Sequence, residues 1–127
     1  MIKSAILTIE DDPAIRFTIE AMIRPLQTEV ISVADGQQAL DAVSDAVPDL
    51  ILLDLMLPHV NGYQFLRAFR EEHADVPVIV VSAKNDSMDL YWAKKLGVRE
   101  YIQKPFTSQQ LRKAVEAALR EETVPGA

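Results

Sequence analysis

Leu50 to Leu53 form an unbroken apolar run that is closed by a carboxylate, Asp54, with Pro58 a little further on. A short run without polar alternation suits a strand covered on both faces, as in a parallel sheet packed between helices. The proline then prevents the strand from continuing in a regular ladder. Asp54 is thereby placed at the rim of a core, where an ionised group must find cations, donors or water, because burying it unpaired costs several kcal/mol or more. The other segments have to supply those partners.

Two kinds of segment alternate along the chain. Ala5 to Ile9 reads as a strand that runs into Glu10, Asp11 and Asp12. Asp12 followed by Pro13 predicts an N-cap with proline at the first helical position, and Ile15, Ile19, Met22, Ile23 and Leu26 recur at helical spacing. Val30 to Val33 is a second strand, and Asp35-Gly36 opens a helix with Leu40, Val43 and Val47 on one side, stopped by Pro48. After the Asp54 strand, Pro58 to Gly62 reads as a loop, and Phe65, Leu66 and Phe69 mark a helix that fades into Arg70-Glu71-Glu72. Val78 to Val81, following Pro77, is a β-branched strand that ends at Ser82. A helix from Asp86 to Leu96 stops at Gly97, Tyr101 to Gln103 is a fifth strand ending at Lys104-Pro105, and Thr107 with Gln110 has capping-box spacing for a last helix. That helix carries Leu111, Val115, Ala118 and Leu119.

Strict βα alternation with short connections predicts an α/β fold, doubly wound, with a five-stranded parallel sheet, helices on both faces and right-handed crossovers. The length of 127 residues, 49% hydrophobic and 25% charged, suits one domain, expected over residues 1–121, with 122–127 as a tail or the start of a linker. The absence of cysteine excludes disulfides and zinc-thiolate sites. A net charge of −6 opposes affinity for nucleic acid. No apolar run is long enough to span a bilayer, so a cytoplasmic domain without membrane insertion is expected.

In a doubly wound sheet the carboxyl ends of the strands share one edge, where ligands bind. Strand one delivers Glu10 and Asp11 to that edge, strand three Asp54, strand four Ser82 and strand five Lys104. Strand two ends in Val33-Ala34 and suits an edge position. Three carboxylates held close together repel one another unless protonated or joined by a cation. Oxygen ligands alone, with room for water, favour a hard ion and suit Mg²⁺ better than Ca²⁺, with Mn²⁺ as a substitute. A metal beside Asp54 would neutralise phosphoryl oxygens while that carboxylate attacks, and Lys104 and Ser82 could hold the others.

Four motifs stand in this order: Ile-Glu-Asp-Asp-Pro at 9 to 13, Leu-Leu-Asp-Leu-Met-Leu-Pro at 52 to 58 with Asn61-Gly62, Val-Val-Ser-Ala at 80 to 83, and Gly97 through Tyr101 to Lys104-Pro105-Phe106. With them the chain resembles the receiver domain of a two-component response regulator, of the chemotaxis-regulator type with a flavodoxin-like fold and strand order 2-1-3-4-5. The resemblance implies that Asp54 accepts a phosphoryl group from a histidine kinase or histidine phosphotransfer protein, as one step of a phosphorelay. It implies that Asp11, Asp54 and the Met56 carbonyl ligate Mg²⁺ while Glu10 holds a metal-bound water. It further implies that Ser82 and Lys104 contact phosphoryl oxygens and that Tyr101 changes rotamer with Ser82. The family often has Asp at the Glu10 position and Thr at the Ser82 position, and both replacements retain the functional group.

Such a chain is a signalling domain and not an enzyme with its own substrate. Two alternatives are an unphosphorylated scaffold of the same fold and an aspartyl-phosphate phosphatase; the second needs an acid two residues after the nucleophile, where Met56 stands. Met56 and Lys84 hold positions that affect acyl-phosphate hydrolysis in the family, and Met56 cannot orient a water, so fast self-dephosphorylation is not expected. His59 is expected as a solvated loop residue and His73 as structural. On the fourth helix Met88, Tyr91, Trp92 and Leu96 share one arc, expected to be mostly core, with Leu90 opposite; Leu90 and part of Trp92 or Tyr91 are expected to be exposed beside Tyr101, as a patch that marks a partner surface. The resemblance makes the fourth helix, fifth strand and fifth helix the face that meets an output partner.

Overall fold

The computed structural model describes residues 3–57, 61–83 and 87–122. Pro58, His59, Lys84 and Asp86, which carry expectations above, and the tail at 123–127 lie outside the described residues. The strands are β1 (Ala5–Ile9), β2 (Glu29–Val33), β3 (Leu50–Leu53), β4 (Val78–Ser82) and β5 (Glu100–Gln103), and the helices are α1 (Pro13–Ile23), α2 (Gly36–Asp45), α3 (Gly62–Glu72), α4 (Ser87–Lys95) and α5 (Ser108–Glu122). All neighbouring strands pair in parallel, in the expected order β2-β1-β3-β4-β5, so β2 and β5 are the edges.

The continuous apolar runs are explained by two cores, one on each face of the sheet. Ile6, Leu50, Leu52, Ile79, Val81 and Ile102 face α1 and α5, where they meet Ile19, Ile23, Leu111 and Val115. The alternate residues Leu7, Ile9, Ile51, Leu53, Val78 and Val80 face α2 and α3, against Ala39, Phe65, Leu66 and Phe69. Each fully buried side chain of this size contributes about 1.5–3 kcal/mol by leaving water. The two cores fix the register that brings the carboxyl ends of β1, β3, β4 and β5 together.

Local chemistry sets the helix ends. The Asp12 carboxylate accepts hydrogen bonds from the Ala14 and Ile15 amides, with Pro13 at the first helical position. Thr107 and Gln110 form the expected reciprocal cap on α5, at 2.8 and 3.1 Å. Asn61 and Gln64 form a second such box on α3. Gly62 follows, and there a Cβ would lie 2.7 Å from both the Asp54 carbonyl oxygen and the Leu55 Cα. Only glycine lets α3 start so close to the loop after β3. His73 caps the other end of α3, its amide bonded to the Phe69 carbonyl and its ring tilted on that phenyl group.

Two sequence expectations need correction. α2 ends at Asp45, because Ala46 is extended, so Val47 lies past the helix and is exposed. On α4 the arc of Met88, Tyr91 and Trp92 faces outward instead of into the core, whereas Leu90 is exposed as expected. The buried positions are Asp89 and Ala93, because a polar partner on α3 draws Asp89 inward.

Candidate functional site

The site is assembled where the strands stop. Beyond β1 the Glu10 amide still bonds to the Val33 carbonyl of β2, and beyond β3 the Asp54 amide bonds to the Ile9 carbonyl of β1. Each ladder thus extends one residue past its strand and fixes an acid at the sheet edge. Ser82 is the last residue of β4, fully buried, and its carbonyl accepts the Lys104 amide at 3.0 Å.

Among the described residues, carboxylate oxygens of Glu10, Asp11 and Asp54 lie within 4.8 Å of one another. Glu10 and Asp54 are only 2% and 5% exposed, whereas Asp11 opens to solvent. Lys104 Nζ donates to Glu10 Oε1 at 2.6 Å and to Asp54 Oδ2 at 2.9 Å. The other oxygen of Asp54 accepts the Met56 amide at 3.0 Å, and the other oxygen of Glu10 accepts the Asp12 amide at 3.1 Å. Tyr101 is half-buried on β5 and packs toward the α2 and α3 core.

Burial is the main reason that the Glu10 carboxyl is pushed up to about 7; the Asp54 charge adds to it, and bonds from Lys104 and the Asp12 amide oppose it. Burial alone pulls Lys104 down, but its bonds to Asp54 and Glu10 and their charges outweigh that and move it upward. One ammonium therefore compensates two buried acids, with a third acid at the mouth. This excess of oxygen ligands suits a hard divalent ion.

Glu10, Asp11, Asp54 and Lys104 are brought into one cluster, Ser82 ends the neighbouring strand, and Met56 stands two residues after Asp54 with its side chain exposed. Arg16 was not marked by the sequence reading. From the first turns of α1 it donates to the Glu10 carbonyl at 2.8 Å and to the Asp11 carbonyl at 3.3 Å, bracing the loop that carries both acids. Its place shortly after the acid pair, at the start of a helix, was the available signal.

The family model for the response regulator receiver domain matches residues 6–116. The chain is 36% identical over 118 residues to the DNA-binding response regulator MtrA of Mycolicibacterium smegmatis, a match that covers 93% of this chain and 51% of that protein. It spans about half the length of the curated relatives it matches. Among solved structures, the receiver domain of the sensor histidine kinase PA1611 from Pseudomonas aeruginosa, with a magnesium ion coordinated in its active-site cleft, is 32% identical with a TM-score of 0.85, covering 94% of this chain and 99% of that one. A CheY-like receiver domain protein from Methanospirillum hungatei shares the fold, with a TM-score of 0.93 at 22% identity over 98% of this chain and 100% of that one. The chain belongs to the response regulator receiver domain family, the receiving module of two-component signal transduction.

Proposed function

We propose that this domain takes a phosphoryl group from a phosphohistidine of a histidine kinase or histidine phosphotransfer protein onto Asp54, in a Mg²⁺-dependent reaction. The observation that carries this reading is the meeting of Asp54 with Glu10 and Asp11 within 4.8 Å while Lys104 reaches the same carboxylate at 2.9 Å. An Asp54 oxygen attacks phosphorus, an O–P bond forms and the N–P bond of the donor breaks. The bonding pair returns to the imidazole nitrogen, and an acyl phosphate results. The nucleophile is already an anion, so no general base is needed, and the work is positioning and charge compensation.

Glu10, Asp11, Asp54 and the Met56 carbonyl would hold Mg²⁺ or Mn²⁺, with Glu10 acting through a water. When bound, the ion supplies positive charge to the phosphoryl oxygens. Lys104 redirects its hydrogen bonds from the carboxylates to a phosphoryl oxygen, and the Ser82 hydroxyl donates to another. Tyr101 responds to Ser82, and the face made by α4, β5 and α5 then presents a changed surface to an output partner.

The domain is a phosphoryl-accepting signalling module that consumes no other substrate. The magnesium held by the PA1611 receiver at 32% identity supports the metal assignment. MtrA is a DNA-binding regulator, so an output segment or a separate partner is the expected target, while the −6 charge keeps this domain itself off nucleic acid. No described helix is long and apolar enough to cross a membrane; the receiver family to which the chain belongs is what supports a cytoplasmic place for the domain.

The test is incubation with acetyl phosphate and Mg²⁺, followed by mass spectrometry. One phosphoryl group on Asp54, lost in Asp54→Asn and in chelator, is the expected result. A protein that stays unlabelled while intact would sink the reading and leave a scaffold.

A further inference from the structure

α4 carries the most prominent group of exposed apolar side chains, Met88, Leu90, Tyr91 and Trp92, yet its inward face among the described residues is only Asp89 and Ala93, with Leu96 partly covered just beyond. An alanine methyl and one leucine bury little apolar area. Among the described residues, two polar rungs tie the helix to α3. The Tyr63 hydroxyl donates to Asp89 Oδ1 at 2.7 Å, and Asp89 is only 6% exposed. At the other end, Arg70 donates to the Leu96 carbonyl at 2.9 Å and to the Gly97 carbonyl at 3.0 Å. Tyr63 and Arg70 are seven residues apart on α3, as are Asp89 and Leu96 on the α4 side, so each spacing is about two helical turns.

The two rungs differ in what else they touch. Arg70 also binds the His73, Ala74 and Val76 carbonyls, which makes it part of the fixed scaffold. Tyr63 immediately follows Gly62, whose amide bonds to the Leu55 carbonyl at 3.3 Å and where an added Cβ would lie 2.7 Å from the Asp54 carbonyl oxygen. The backbone at Asp54 and Leu55 is thus in direct contact with the first turn of α3.

We infer that the Tyr63–Asp89 hydrogen bond couples the phosphoacceptor loop to α4, by a route through α3 that is separate from Ser82 and Tyr101. This rests on the reading of Asp54 as the phosphoacceptor. Charge added at Asp54 shifts the loop, Gly62 carries the shift into α3, and the Tyr63 hydroxyl passes it to the helix bearing Trp92. Tyr63 and Asp89 are positioning residues. Neither is assigned a contact with the transferred group.

Trp92 is the single tryptophan of the chain and lies on α4, so its emission reports on that helix. Wild type, Tyr63→Phe, Asp89→Ala and Asp89→Asn are treated with acetyl phosphate and Mg²⁺, and occupancy by mass spectrometry is read beside Trp92 emission. Tyr63→Phe and Asp89→Ala should reach occupancy within about twofold of wild type while losing roughly three-quarters of the emission change. Asp89→Asn, whose amide oxygen still accepts the hydroxyl, should keep at least about half of it. In untreated protein, Tyr63→Phe should speed amide exchange over 87–95 by about threefold and leave 50–53 unchanged.

Wild-type emission changes in Tyr63→Phe at equal occupancy, or unaltered exchange in α4, overturn the inference and spare the phosphoacceptor reading. A labelled wild type whose Trp92 emission does not move overturns the inference alone as well. A wild type with zero occupancy overturns both, and the mass spectrum identifies that case.

Discussion

The ammonium of Lys104 lies 2.9 Å from the carboxylate of Asp54, fifty positions earlier in the chain, and both groups are largely shielded from water. Removing one member of such a pair leaves buried charge uncompensated. Lys104→Met should therefore lower stability in chelator by about 2–3 kcal/mol, read by urea unfolding, and should gain more stability from added Mg²⁺ than wild type does. Equal Mg²⁺ stabilisation of the two proteins would count against the shared site.

Glu10 sets a pH dependence. Its carboxyl is raised from 4.5 to about 7 chiefly by burial, so the folded protein holds that proton more tightly than the unfolded chain. The stability from this group is fully present below about 4.5 and is lost as pH rises through about 7, on the order of 3 kcal/mol in all. In metal-free buffer the unfolding free energy of wild type should fall across this window relative to Glu10→Gln. Mg²⁺ takes the deprotonated form, so its affinity should rise over the same range. Parallel stability profiles for the two proteins would refute the assignment.

Gly62→Ala places a methyl group 2.7 Å from backbone atoms of Asp54 and Leu55. Backbone cannot swing aside as a long side chain can, so a loss of about 3 kcal/mol is expected, together with slower labelling of Asp54. Chemical denaturation measures the first and mass spectrometry the second. Unchanged stability would mean that α3 can start elsewhere.

Arg70 bonds only to carbonyls in the contacts described, spanning the end of α3, the following turn and the end of α4. A lysine cannot reproduce that fork. Arg70→Lys should cost about 2 kcal/mol, and Arg70→Met somewhat more. Thermal unfolding within a degree or so of wild type would be incompatible with the clamp.

The parts legible in the sequence are those whose signal is local. Leu50–Leu53 and Val78–Val81 read as buried strands because both of their faces are covered, and Glu10, Asp11 and Asp54 stand out because acids interrupt apolar runs at strand ends. α4 was misread because helical periodicity assumes that apolar residues turn inward, whereas a hydroxyl 26 positions away holds Asp89 there instead. Arg16 and Arg70 were missed for a related reason. Both address main-chain carbonyls, which every residue has and no side-chain spacing marks.

The sheet is open at β2 and β5, and each of these strands begins with an exposed glutamate, Glu29 and Glu100. Unsatisfied amides and carbonyls along such margins invite another chain to add itself, and anionic groups stationed there repel a second copy that approaches either border. Two side chains outside the acidic cluster thereby disfavour addition of a second copy to the ladder.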